Sequence, residues 1–177
     1  MNRKLKLWEL NRLTTEDFKA QQKFPIILVL DNIRSLNNIG SFFRTADAFN
    51  VQKIYLCGIT AQPPHREIQK TALGATESVE WEYVEDVNGL LERLKDQNVR
   101  ICSIEQAEKT TLLNELTLDS KETYALVFGN EVEGVNQLVI DRSDEIIEVP
   151  QFGTKHSLNV SVCAGVVLWE FVRLRKG

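Results

Sequence analysis

The chain has 177 residues and a formal net charge of −4; 43% of its residues are hydrophobic and 26% charged. That suffices for one domain with a real core, and it excludes disordered and collagen-like classes. No apolar run approaches the roughly 18 residues that span a bilayer, and the polar, basic start, Met1 to Leu13, lacks an apolar signal core, so a cytoplasmic protein is expected.

Residues 5–23 read as helical, in two pieces, with Thr14 capping the second and acids at Glu16 and Asp17 in its first turn. Pro25 stops this helix. Residues 26–30, Ile-Ile-Leu-Val-Leu, form a continuous apolar run with β-branched members, the pattern of a strand buried on both faces. Further runs follow at 53–57, 79–83, 99–104, 124–128 and 146–149. Helical stretches lie between them at 39–49, 66–73, 87–97 and 137–143. Alternation of this kind predicts an α/β fold with a mostly parallel sheet flanked by helices. Pro63-Pro64 marks a loop, and no linker or internal repeat interrupts the chain.

The last predicted helix, residues 157–174, is apolar at 12 of 18 positions. Burial of eight of its large side chains, from Val160 to Val172, is worth about 10–25 kcal/mol gross. A helix on the outside of a small domain cannot hide all of that surface. It is either central or covered by a second subunit, and a homodimer is the favoured reading.

Cys57, Cys102 and Cys163 are odd in number, widely spaced and set in apolar runs, so buried thiols are expected rather than disulfides or a metal site. Charge is divided along the chain: residues 1–70 carry a net +5, residues 77–148 a net −12 and residues 149–177 a net +3. A polyanion-facing side built from both ends is one reading, and an acidic solvated surface with incidental basic termini is the other.

Three segments carry candidate chemistry. In residues 31–49, Asn38 is a candidate helix cap, Gly40 admits close approach to the backbone, and Arg44 presents a planar fork suited to phosphate. Arg44 paired with Asp47 is the plainer alternative. In residues 128–134, FGNEVEG, the glycines suggest tight turns against a ligand, though the segment is neither GxGxxG nor a Walker loop. In residues 149–159, Ser157 is a candidate cap and Asn159 either caps or holds a ligand. Each segment follows a buried strand, and in a parallel sheet such positions share one edge, where ligands bind. His156, beside Ser157, has no acid at fixed spacing to orient it. Trp8, Trp81 and Trp169 suit core or interface packing better than base stacking.

In order and spacing, Asn38-Ile39-Gly40 with Arg44-Thr45, Gly129-Asn130-Glu131 to Gly134, and Pro150 to Asn159 continuing through Ser161 resemble the three motifs of the SpoU/TrmH family within the SPOUT superfamily. The resemblance implies a C-terminal deep trefoil knot, a homodimer with the final helix at its interface, and a division into a helical N-terminal extension (1–25) and a methyltransferase domain (26–177). It implies methyl transfer from S-adenosylmethionine, leaving S-adenosylhomocysteine, to an RNA ribose 2′-hydroxyl, with no metal. By position, Arg44 is the catalytic arginine and Asn38 holds it and the reacting nucleotide. Glu131 orients groups around Arg44, an ion pair between the two being one way, and Ser157 and Asn159 complete the pocket. Gly129, Val149 and Leu158, with Ile104 and Glu105, would hold the cofactor. Ser41 stands where an alanine is common. With only about 25 residues before the first strand, no extra RNA-binding domain is expected. That and the basic termini favour tRNA over rRNA. The rivals are a non-catalytic RNA-binding module on the same fold and a nucleotide-using α/β enzyme, for which no phosphate loop is present.

Overall fold

The computed structural model describes residues 2–176. After a 3-10 turn at Leu7–Glu9 come α1 (Thr15–Ala20), β1 (Phe24–Asp31), α2 (Leu36–Ala48), β2 (Val51–Cys57), α3 (Arg66–Ala72), α4 (Ala75–Ser78) and β3 (Trp81–Val84). Then follow α5 (Val87–Asp96), β4 (Val99–Ile104), β5 (Thr111–Leu112), β6 (Thr123–Phe128), α6 (Gln137–Arg142), β7 (Glu145–Glu148) and α7 (Val160–Lys176). All six predicted strands are present within a few residues of their expected bounds. The two-residue β5 and the one-turn α4 were not expected; both are too short to show a period.

The seven strands form one sheet in the order β3-β2-β1-β6-β4-β7-β5, and every pairing is parallel. The continuous apolar runs follow from this. In β1, Ile26, Leu28 and Leu30 join the core on one face, and Ile27 and Val29 join the core on the other. The first face is covered by α2 and α7, with Phe42, Phe43 and Phe171 fully buried; the second is covered by α5 and α6 through Leu90, Leu91, Leu94 and Val139. From β1 the chain winds outward through β2 to β3, then returns to build β4, β6 and β7 on the opposite side of β1. The reversal lies between β1 and β6, the crevice where open parallel sheets hold ligands.

Thr14 caps α1 by accepting from the Asp17 N–H, as expected. Two other caps differ from expectation. Ser35, not Asn38, caps α2, its hydroxyl accepting from the Asn38 N–H; Asn38 therefore lies inside the first turn, and its amide is free for tertiary contacts. Asn159, not Ser157, caps α7, its Oδ1 accepting from the N–H groups of Ser161 and Val162 at 3.0 and 3.3 Å. Gly40 does admit a close neighbour, but that neighbour is α3: a Cβ there would collide with Thr71 and the Ile68 carbonyl.

Helix α7 buries Ala164, Val167, Leu168, Phe171 and Val172 and leaves Val162, Val166 and Trp169 exposed at 55, 42 and 61%. It is central on one side and bare on the other. Cys57 and Cys102 are buried and Cys163 half-buried. Trp8 departs from the packing expected of the tryptophans: it is 75% exposed, with the Lys6 ammonium 5.0 Å from its ring centre. No helix among the described residues is long and apolar enough to cross a membrane.

Candidate active site

A cavity of about 710 Å³ opens at the C-terminal ends of β6, β4 and β7. This is within the range of small-molecule sites, about 300–1,000 Å³. Its lining includes eight of the ten expected site residues: Ile104, Glu105, Gly129, Glu131, Val149, Ser157, Leu158 and Asn159. The floor is apolar, from Ile104, Phe128 and Ile147, and the rim is polar. Gln151, His156 and Cys163 also line it and had no assigned role. Burial, with Glu105 nearby, pushes the Cys163 thiol up to about 11, so it stays protonated at neutral pH. Among the described residues, no group of three or more His, Cys, Asp or Glu side chains is placed to hold a metal.

The loop after β6 is closed on itself. Asn130 and Gly134 exchange N–H···O bonds of 3.0 and 2.9 Å, and Asn130 Oδ1 accepts from the N–H groups of Val132 and Glu133. Glu105 anchors it from β4, its Oε2 accepting from the Val135 N–H at 2.8 Å. Gly134 has φ +71, and a Cβ there would strike Glu105; a Cβ at Gly129 would strike the Gly134 carbonyl. The glycines thus let the loop fold against itself.

Glu131 ties this loop to the start of α2. Its carboxylate accepts from the N–H groups of Arg34 and Ser35, both at 2.9 Å, and from Asn38 Nδ2 at 3.0 Å. Partial burial opposes its ionisation, but these three donors prevail and hold it below the usual carboxylate range. The ion pair with Arg44 that Glu131 was expected to offer is absent. Backbone N–H groups at the α2 entrance take the carboxylate instead, and they invite a negative charge. Asn38 is also engaged on its other side: its Oδ1 accepts from Asn159 Nδ2 at 3.1 Å and from the Ser161 hydroxyl at 3.4 Å. So Asn159 caps α7, one of the two roles expected of it, and its side-chain amide also bonds to Asn38 beside the cavity. Arg34, Ser35 and Ser161 belong to this junction and were missed as site residues. The first two act through main-chain N–H groups, which no side-chain motif reveals.

Arg44 lies elsewhere. It is exposed, six residues beyond Asn38 on α2, or ~9 Å of helical rise, and it does not line the cavity. No ion pair among the described residues involves it, so the expected alternative with Asp47 is also absent; Asp47 accepts from the Ser78 hydroxyl.

Residues 25–169 match the model of the SpoU rRNA Methylase family. A 23S rRNA (guanosine-2′-O-)-methyltransferase RlmB from Photorhabdus laumondii is 35% identical over 160 residues, 90% of this chain and 64% of its own length. The RlmB of Haemophilus influenzae is 35% identical over 171 residues, 96% of this chain and 68% of its own. Among solved structures, the A. aeolicus TrmH/SpoU tRNA modifying enzyme superposes with a TM-score of 0.80 at 27% identity, over 92% of this chain and 80% of that one. The AdoMet-bound rRNA methyltransferase from Sinorhizobium meliloti gives 0.78 at 25%, over 86% and 57%. The chain spans about two thirds of the length of the curated relatives it matches. With its motifs meeting at one sheet edge and the family model covering most of its length, the chain belongs to the SpoU rRNA methylase family.

Proposed function

We propose that this chain is an S-adenosylmethionine-dependent methyltransferase acting on the ribose 2′-hydroxyl of a guanosine in 23S rRNA. The observation that carries the reading is the three-way junction of Asn38, Glu131 and Asn159 beside a cavity of cofactor size. The preference for rRNA rests on the two RlmB relatives and displaces the tRNA substrate expected from the basic termini. A tRNA substrate keeps one supporting observation, the tRNA modifying enzyme that superposes over 80% of its own chain. With rRNA as the substrate, the cytoplasm is the compartment that fits this reading.

The cavity suits the cofactor: an apolar floor for the adenine, and rim amides and carbonyls at Gly129, Val149 and Leu158 for its polar edges, with Glu105 fixing the loop that carries Gly129. S-adenosylmethionine supplies, when bound, a methyl carbon already activated by a positive sulfur. The chain's own residues then have to position the ribose and manage its proton. Asn38, Ser157 and Asn159 orient the nucleotide, and Glu131 keeps Asn38 in place. Among the described residues no carboxylate pairs with Arg44, and its guanidinium fork is suited to stabilise a developing oxyanion.

The exposed stripe of Val162, Val166 and Trp169 supports a homodimer through α7. Phe49, at the end of α2, touches Trp169 with ring centroids 6.4 Å apart, so the stripe borders the helix that carries Arg44. Arg44 would accordingly serve the transfer site across the dimer. The route of residues 149–159, from β7 beyond β4 back to α7 against α2, supports the deep trefoil knot. The start of the family match at residue 25 supports a division into the helical extension (1–25) and the methyltransferase domain (26–177).

The test compares 2′-O-methyl maps of 23S rRNA and tRNA between a deletion strain and its parent. Loss at one 23S guanosine with tRNA unchanged supports the reading. Loss confined to tRNA would transfer the substrate to tRNA, and intact maps for both would refute the activity.

A further inference from the structure

Phe152 is 97% exposed, more than any other large apolar side chain among the described residues. It sits on the segment joining β7 to α7. On either side of it, Gln151 and His156 line the cavity, but Phe152 does not. Its ring therefore stands at the rim, outside the space suited to the cofactor. Residues 152–159 are all exposed, and no acidic residue occurs between Val149 and Asn159. Phe152 is followed by Gly153, Thr154 and Lys155, and the position of a Cβ on Gly153 has nothing within 4 Å.

A protein partner would need apolar neighbours around such a ring to exclude water, and polar and cationic groups flank it instead. The apolar stripe of α7 is a separate feature, recurring at helical spacing through Val162, Val166 and Trp169. An exposed aromatic ring with a lysine three residues along the same acid-free segment has the composition of a base-stacking platform. Every nucleobase offers a π-face, and the cation meets the backbone phosphate.

We propose that Phe152 stacks on a base of the RNA as it approaches the cavity, with Lys155 taking a neighbouring phosphate. The segment after β7 would then align the substrate as well as wall the cofactor. The inference rests on the RNA-methyltransferase reading.

The test uses the full chain as wild type, Phe152→Ala and Phe152→Trp, with 23S rRNA from the deletion strain as RNA probe and S-adenosylmethionine titrated by calorimetry. Phe152→Ala is expected to raise KM for RNA by roughly 5- to 150-fold, the range of one lost base stack. The kcat at saturating RNA and the cofactor Kd stay within about twofold. Phe152→Trp keeps KM within about threefold and adds tryptophan emission, relative to wild type, that RNA quenches. The proposal is overturned if Phe152→Ala leaves KM unchanged, weakens cofactor binding to the same degree, or changes the sedimenting mass. A wild type that transfers no methyl group while RNA still quenches Phe152→Trp would sink the activity alone. Methyl transfer with an unaltered KM in Phe152→Ala would sink the stacking alone.

Discussion

Glu131 accepts three hydrogen bonds from residues more than 90 positions away, and its charge is what the α2 entrance selects. Glu131→Gln keeps the shape and removes the charge. Because the carboxylate is largely exposed, the expected loss is about 1 kcal/mol rather than the larger values of buried charged bonds. Its folded pKa lies below the unfolded value of about 4.3. The stability it adds is therefore complete above that value and lost as pH falls through the folded one. Thermal melts should show a constant gap between wild type and Glu131→Gln from pH 6 to 8 that begins to narrow as pH falls past about 4.3; a gap that does not narrow with acidification would mean the charge is not what holds the loop. Gly134→Ala adds left-handed strain and a clash with Glu105, for an expected loss of about 2 kcal/mol or more in urea unfolding, together with weaker cofactor binding. The resemblance grouped Asn38, Glu131 and Asn159 with Arg44 and Ser157, and of these five the first three are joined by direct hydrogen bonds. Sequence reading misassigned the cap of α2 because Ser35 and Asn38 are both good cap residues, and only the path of the chain decides which hydroxyl or amide faces the first turn.

At the scale of elements, the apolar runs read correctly as parallel strands, since a strand covered on both faces has no polar side to alternate with. β5 escaped notice because two residues carry no pattern. α7 was expected to be either central or a subunit interface, and it is central on one face and bare on the other. The two faces make separate predictions. Phe171→Ala removes a fully buried ring packed edge-on to Tyr124, with centroids 5.6 Å apart, and should cost about 3–5 kcal/mol. For the homodimer proposed through α7, Val166→Glu on the bare face should leave the melting of each subunit nearly unchanged and shift sedimentation from dimer to monomer. A dimer that survives Val166→Glu would place the subunit contact elsewhere.

Over the whole molecule, the parallel sheet gathers the ends of β4, β6 and β7 at one cavity and brings the start of α2 against the loops beside it, although the residues in direct contact there lie up to 123 positions apart. A ligand that binds only this assembled state stabilises it by mass action, so S-adenosylmethionine at a hundred times its Kd should add about 2.7 kcal/mol. A differential scan would read this as a rise in melting temperature, and no rise would argue that the cavity does not take the cofactor. Which longer segments form strands and which turns hold glycine were determined by the sequence itself, because period and turn chemistry are local properties of the chain. Which donor meets which acceptor was decided only by the tertiary structure. Two of the three partners of Glu131 are main-chain N–H groups, common to nearly every residue, and the pairing of β1 with β6 sets side by side the loops in which they meet the carboxylate at 2.9 Å.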